Sequence, residues 1–385
     1  MYLNRYLEQS VLKSLKHFPV TAITGPRQCG KSTLVKHLLA AYPNSIYLDL
    51  ERPSDLRKLD DAEWFFTSQR DKLICIDEIQ RYPELFPVIR SLVDEWNRPA
   101  CFLILGSASR DLLKQSSESL AGRIVYQRLT PFLWKELEND YSIEQYFSSG
   151  AFPRSLLSND AALSFEWRES FITTFLEMDL LQWAGFTPTT MRRLWQMLAH
   201  INGQTVNYSH LANSLGVSSV TVKNYIDLLA GTYMVELLPP YVSNLGKRLV
   251  KSPKVYIADS GITAALLHLR DFASLAGHPA FGAIWEQIVL SNLKGLFSEA
   301  EFFFYRTTHG AEIDIVMKIN HTVFAIECKA SFAPVLSKGN YLAIEDINPK
   351  HSFIVTPSHE SWSVKESIDV VSLNDLYEFI VSFLP

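Results

Sequence analysis

The chain has 385 residues, 47% of them hydrophobic and 20% charged, with a formal net charge of −5; this exceeds one comfortable core and points to two or three domains of ordinary globular composition. No apolar run approaches the ~18 residues of a membrane helix, residues 1–8 lack the apolar centre of a secretion signal, and the acidic balance excludes a chain that coats nucleic acid everywhere while leaving room for a local basic surface. The expectation is a cytoplasmic protein with no membrane partner. Cys29, Cys75, Cys101 and Cys328 are too far apart in sequence for a zinc cluster or a disulfide framework, and they read as buried small hydrophobes.

The first informative stretch is Gly25-Pro26-Arg27-Gln28-Cys29-Gly30-Lys31-Ser32-Thr33. It fits the phosphate-loop pattern G-x-x-x-x-G-K-[ST] at every fixed position, between an apolar strand at residues 19–24 and a helix in which Leu34, Val35, Leu38 and Leu39 recur until Pro43. Backbone N–H groups of such a loop surround the phosphates of ATP, Lys31 reaches the β- and γ-phosphates, and the Ser32 hydroxyl ligates Mg²⁺. A second strand follows at residues 45–50, and a third, Leu73-Ile74-Cys75-Ile76, ends in Asp77 and Glu78. Asp77 is expected in the Mg²⁺ shell, and Glu78 is expected to orient and activate the attacking water. Another apolar strand closes in Gly106-Ser107-Ala108-Ser109, with Ser107 as candidate γ-phosphate sensor, and Arg123 precedes the strand at residues 124–129. Arg123 is either an arginine finger, often one acting on a neighbouring subunit, or a surface ion pair.

These separated motifs, with Ile76-Asp77-Glu78-Ile79-Gln80-Arg81, Ala121-Gly122-Arg123 and Leu129-Thr130-Pro131-Phe132, resemble the AAA-type ATPase domain of a large prokaryotic family in which a C-terminal DUF4143 domain follows. The resemblance implies a P-loop sheet of the additional-strand type with Glu78 as the extra acid, ATP and Mg²⁺ as cofactors, and a homo-oligomer, ring-forming or not.

Residues 136–200 carry aromatic and apolar residues such as Trp167, Phe171, Phe175 and Leu176 at helical steps. Gly150-Ala151-Phe152-Pro153-Arg154 resembles an element of the same family. Residues 207–229 then read as helix, Gly-containing turn and second helix, with a wing strand at 233–238. Lys223 is the sole basic residue of the candidate recognition helix and is balanced by Asp227; Lys247, Arg248, Lys251 and Lys254 follow without an acid, which suits either phosphate contacts or a solvated loop.

Val255-Tyr256-Ile257-Ala258-Asp259-Ser260-Gly261 is expected to open the last unit. Glu286 lies on an otherwise apolar helix face, Asp314 in a strand, and Glu327-Cys328-Lys329 at the end of the returning strand after the Asn320-His321 turn. Carboxylates from Glu286, Asp314 and Glu327 with Lys329 make a candidate Mg²⁺ phosphodiesterase site, with Arg306 and His309 nearby. This constellation resembles the PD-(D/E)xK nuclease superfamily, some of whose members bind nucleic acid without cutting it.

The expected architecture is α/β: a P-loop AAA-type ATPase core at 1–135, a helical and winged-helix segment at 136–255, and a PD-(D/E)xK nuclease-like α/β domain at 256–385. The expected function is an ATPase coupled to DNA binding, with Mg²⁺-dependent cutting of branched or single-stranded DNA as an open extension. The competing expectation is a nucleotide-gated regulatory protein whose nuclease-like fold only mediates protein contacts.

Overall fold

The computed structural model describes residues 2–107, 120–137, 140–179, 187–242 and 250–384. It divides into two compact units, one made of Met1–Phe132 with Gly231–Tyr233, the other of Leu133–Ala230 with Met234–Pro385. Among the described residues no helix is long and apolar enough to cross a membrane.

In the first unit the apolar runs form strands β1 (Val20–Gly25), β2 (Ser45–Asp49), β3 (Leu73–Asp77), β4 (Phe102–Ser107) and β5 (Ile124–Arg128). They pair in parallel in the order β2-β3-β4-β1-β5. Parallel neighbours need crossovers, here carried by the helices Lys31–Leu39, Ala62–Ser68 and Leu85–Trp96. Burial on both faces explains why β1 and β3 read as unbroken apolar runs. Ile23, Leu34, Leu103 and Leu105 fill one face; Val20, Ala22, Ile74, Ile76 and Ile104 fill the other. Strand β4 lies between β1 and β3, which is the additional-strand arrangement implied by the sequence resemblance.

The second unit begins with helices including Ile143–Ser149, Ala161–Thr174 and Pro188–His200, whose Phe171, Phe175, Leu176 and Trp195 share one core. Helices Tyr208–Leu215 and Ser219–Gly231 meet at Gly216, whose φ of 69° is left-handed. Around them a small sheet pairs β6 (Gln204–Thr205), β7 (Val235–Leu238) and β8 (Lys254–Ile257) in the order β6-β8-β7. The strand expected to open the C-terminal unit therefore lies antiparallel to β7, because its register Val235↔Ile257 closes the helix-turn-helix region. Of the basic run before it, Lys247 and Arg248 fall outside the described residues, as do Ala108 and Ser109 of the β4 motif.

Two sequence elements without an assigned role meet in this unit. Asp259 caps the helix Ser260–Leu266 by accepting from Ile262 N at 2.9 Å, and its other oxygen accepts from Ala151 N at 2.7 Å. A Cβ on Gly150, at φ 73°, would stand 2.2 Å from Asp259 Oδ1, and one on Gly261 would stand 2.3 Å from the Ser149 carbonyl. The glycines are there so that two backbones can touch.

The remaining strands, β9 (Glu301–Arg306), β10 (Glu312–Ile319), β11 (Thr322–Cys328), β12 (His351–Thr356), β13 (Trp362–Lys365) and β14 (Ile368–Ser372), form one sheet ordered β13-β14-β12-β11-β10-β9. Pairs β9–β10–β11 are antiparallel, and β11–β12–β14 are parallel. The tight turn at Asn320, with φ 53°, fixes the β10–β11 register at Ile315↔Ile326. One step on, Asp314 is level with Glu327.

Candidate functional site

The phosphate loop is shaped by backbone constraints that its glycines satisfy. Gly25 has φ 151°, and a Cβ there would lie 2.1 Å from the Leu129 carbonyl oxygen; Gly30, at φ 101°, opens the helix Lys31–Leu39 without a side-chain cap, leaving the first-turn N–H groups for an anion. Lys31 Nζ donates to the carbonyls of Gly25 at 3.0 Å and Pro26 at 2.8 Å. Buried Cys29 packs with Sγ 3.6 Å from Leu129 O. Arg5 holds the loop from behind, donating to Cys29 O at 3.1 Å and to the carbonyls of Thr130 at 2.6 Å and Pro131 at 3.2 Å.

Parallel pairing carries the end of β3 to this loop. Ser32 Oγ donates to Asp77 Oδ2 at 2.7 Å, and the Tyr47 hydroxyl from β2 donates to the same oxygen. Burial, then the hydrogen bond to Asp77, pushes the Tyr47 phenol upward, which keeps it a donor. Glu78 sits at φ 57°. Burial raises its pKa above the ordinary carboxylate value although the charges of Lys31 and Arg27 pull it down. Gln80 Nε2 donates to Glu78 Oε2 and, at 3.1 Å, to Ser107 Oγ, so acid and sensor candidate are joined through one amide whose own Oε1 is buried without a partner. These donors fit a nucleotide with Mg²⁺: a lysine, a hydroxyl and a carboxylate converge beside an uncapped helix start.

Arg123 is not at this loop. It precedes β5 at the sheet edge where β1 begins, its carbonyl accepting from Val20 N at 3.2 Å, whereas the loop follows the other end of β1, ~16 Å away at ~3.3 Å per residue. On that edge its guanidinium grips Asp94, at 2.5 Å from Oδ1 and 2.8 Å from Oδ2. Within its own chain Arg123 thus forms a surface ion pair, one of the two roles expected for it.

In the second unit the expected acids do come together. Glu286 projects from the helix Phe281–Leu296, Asp314 from β10, and Glu327 and Lys329 from β11 and its exit. Asp314 Oδ2 accepts from Cys328 N at 3.0 Å, and Lys329 Nζ lies 2.6 Å from Glu327 Oε1. Between Glu286, Asp314 and Glu312 lies Lys254. Its Nζ lies 2.8 Å from Glu286 Oε1 and 3.3 Å from both Asp314 Oδ1 and Glu312 Oε1, and its side chain is 2% exposed. The expectation that Lys254 belongs to a basic loop facing phosphate or solvent is thus corrected: alternation in β8 turns Lys254 and Tyr256 to one face, where the Tyr256 hydroxyl also donates to Glu286.

Electrostatics follow from that placement. Burial lowers the Lys254 pKa, but the charges of Glu286, Asp314 and Glu312 outweigh it and carry the pKa above its ordinary value. Glu286 is pushed up to about 7 by burial and by the Asp314 charge; Glu327 is raised for the same reasons, and its Oε2 is buried without a hydrogen-bond partner. Glu286 Oε1 and Asp314 Oδ1, oxygens expected to face Mg²⁺, face the Lys254 ammonium as the side chains stand. Arg306 is 3.5 Å from Glu312, and His309 Nδ1 is 3.4 Å from Thr308 Oγ1.

Tyr47, Arg5, Glu312 and the role of Lys254 were missed by sequence reasoning. A signal existed for Lys254 alone, a lysine heading the apolar run Val255-Tyr256-Ile257.

Family profiles match three segments: the AAA domain at residues 17–138, a domain of unknown function (DUF8612) at 140–273, and a domain of unknown function (DUF4143) at 281–376. The chain is 37% identical to the uncharacterized protein Rv2008c of Mycobacterium tuberculosis over 365 residues, 94% of this chain and 82% of that protein. It is 21% identical to the uncharacterized protein MJ1637 of Methanocaldococcus jannaschii over 317 residues, 69% of this chain and 65% of that one. Among solved structures, AMPPCP-bound DnaA from Aquifex aeolicus overlaps at a TM-score of 0.30 and 12% identity, covering 59% of this chain and 88% of that chain, a likeness too low to carry a functional argument. On the profile matches and the near full-length relative, the chain belongs to the family of proteins with an AAA-type ATPase domain and a C-terminal DUF4143 domain.

Proposed function

We propose that the protein binds ATP with Mg²⁺ at residues 25–33 and hydrolyses it, and that turnover drives the handling of DNA by the second unit. The observation that carries the ATPase reading is the 2.7 Å hydrogen bond between Ser32 and Asp77, two groups remote in sequence that Mg²⁺ chemistry needs side by side. In this reading Ser32 and Asp77 would hold the ion, whose charge would offset that developing on the transferring phosphoryl group. Lys31 exchanges loop carbonyls for phosphate oxygens. Glu78, held above the ordinary carboxylate range, takes the proton of the attacking water, and Ser107 reports on the γ-phosphate through Gln80. Arg123 serves the site of a second copy, in a homo-oligomer. Lys31→Ala and Glu78→Gln should each abolish phosphate release by the purified protein; unchanged turnover in both would sink the ATPase reading. Mixing Arg123→Ala with Lys31→Ala protein should restore part of the activity if the arginine acts across copies.

Two features support DNA as the partner. The order helix, β6, helix, turn, helix, β7, β8 suits a winged helix, and Glu286, Asp314 and Glu327 meet as the resemblance to PD-(D/E)xK proteins requires. We place the ATPase core at about 1–135, the winged-helix region after it, and the nuclease-like region last, in a cytoplasmic protein. Binding to duplex, single-stranded and branched DNA should weaken steeply with salt, and Mg²⁺-dependent cleavage by wild type should be compared with Asp314→Ala and Lys329→Ala. Absence of binding at low salt to all three DNAs would favour the second reading, a nucleotide-gated regulatory protein, whose supporting observation is the single cation, Lys223, on the helix Ser219–Gly231.

A further inference from the structure

Lys254 comes from the small sheet of the helix-turn-helix region, yet its charge is spent among carboxylates of another sheet and helix. Its ammonium lies within 2.8–3.3 Å of Glu286, Asp314 and Glu312, with the Phe304 ring 5.6 Å away on its flank. It is the most buried cation of the cluster: Lys329 is 32% exposed and Arg306 45% exposed. A divalent ion bound through Glu286 Oε1 and Asp314 Oδ1, at the ~2.0–2.6 Å typical of Mg²⁺ and Ca²⁺ ligation, would need the oxygens that Lys254 uses. An ammonium and a divalent ion on the same two oxygens would repel one another at contact distance.

We infer that Lys254 is the resident cation of the Glu286–Asp314–Glu312 cluster, so that lysine and divalent metal exclude one another there. The inference rests on the reading of the C-terminal site given above and deepens it: Mg²⁺-dependent chemistry there requires Lys254 to leave Glu286 and Asp314, and until it does those acids seat strand β8. Any entry of metal must displace Lys254 and so disturb the sheet that closes the helix-turn-helix region. Glu327 keeps Lys329 on Oε1 at 2.6 Å and has a buried Oε2 without a hydrogen-bond partner.

The test is Mn²⁺ binding to the full chain, nucleotide-free and carrying Asp77→Asn to silence the phosphate-loop site, read by loss of the free-ion electron paramagnetic resonance signal. With Lys254 present, Mn²⁺ binding should be the same whether residue 314 is aspartate or asparagine. Lys254→Met should bind one additional ion, at least ~10-fold tighter than any ion the lysine protein holds, which corresponds to ~1.4 kcal/mol, and Asp314→Asn should remove that ion. An ion held by the Lys254 protein and lost on Asp314→Asn would overturn the inference, as would a folded Lys254→Met protein that gains none. If Lys254→Met does not fold, the comparison of aspartate with asparagine at 314 decides alone. No nucleic acid enters the measurement, so failure of the DNA reading and failure of this one are separate results.

Discussion

Asp77 receives two hydroxyls on one oxygen, from Ser32 and from Tyr47, and only the first is adjacent to a recognisable motif. Tyr47→Phe leaves the strand intact but frees one side of the carboxylate; Mg²⁺-ATP binding, measured by titration at fixed Mg²⁺, should weaken about tenfold, the ~1.4 kcal/mol expected of one hydrogen bond to a charged group. Gly25→Ala meets both a φ of 151° and the Leu129 carbonyl at 2.1 Å; it should cost about 3 kcal/mol in chemical denaturation and abolish nucleotide binding. The pH dependence of stability is shared by Glu286 and Glu327, both raised by burial and by the Asp314 charge; Glu286 sets the lower part of the window. Its folded pKa of about 7 lies above the ordinary 4.5, so the folded state holds a proton that the unfolded chain has already released, and stability falls as pH rises from about 4.5 through 7, by on the order of 3 kcal/mol. Lys254, raised above its ordinary value, keeps its charge in both states over that window and adds no slope. Denaturation midpoints between pH 5 and 8 should show the fall, and Asp314→Asn should lessen it by removing one of the two causes that push Glu286 up, leaving the larger one, burial.

Elements were more legible than their partners. Every strand of the first sheet and both helices flanking Gly216 could be placed from apolar runs, glycine positions and spacing, since those patterns are local. What sequence left open was which element a side chain faces: Lys254 read as part of a basic loop because its neighbours in the chain are basic, while its neighbours in space, Glu286, Glu312 and Asp314, arrive from a helix and another sheet. The same holds for the family element at Gly150–Arg154, whose partner is Asp259 more than a hundred residues on. Glycines separate by this logic. Gly216 has open space around its Cβ position, so Gly216→Ala should cost only the left-handed conformation, about 1 kcal/mol. Gly261→Ala would press on the Ser149 carbonyl at 2.3 Å and Gly150 N at 2.7 Å; about 3 kcal/mol is expected, read as a larger drop in melting temperature than for Gly216→Ala.

At the scale of the whole molecule, a nucleotide bound by the first unit stabilises only what folds with it. ATP at 100 times its dissociation constant should add about 2.7 kcal/mol to that unit, so calorimetry should show one transition moving with nucleotide and the other staying. A shift of both together would mean that the two units unfold as one. The P-loop sheet was legible because its motifs are contiguous; the extent of the units was not, since Gly231–Tyr233 returns to the first unit after a long excursion through the second. In that returning segment the Tyr233 hydroxyl donates to Thr24 Oγ1 of β1 at 3.3 Å, and Arg128 of β5 lies 4.4 Å over its ring. During synthesis these two contacts become available only after the ~100 residues that precede Gly231, about 5–20 s behind β5 at 5–20 residues per second.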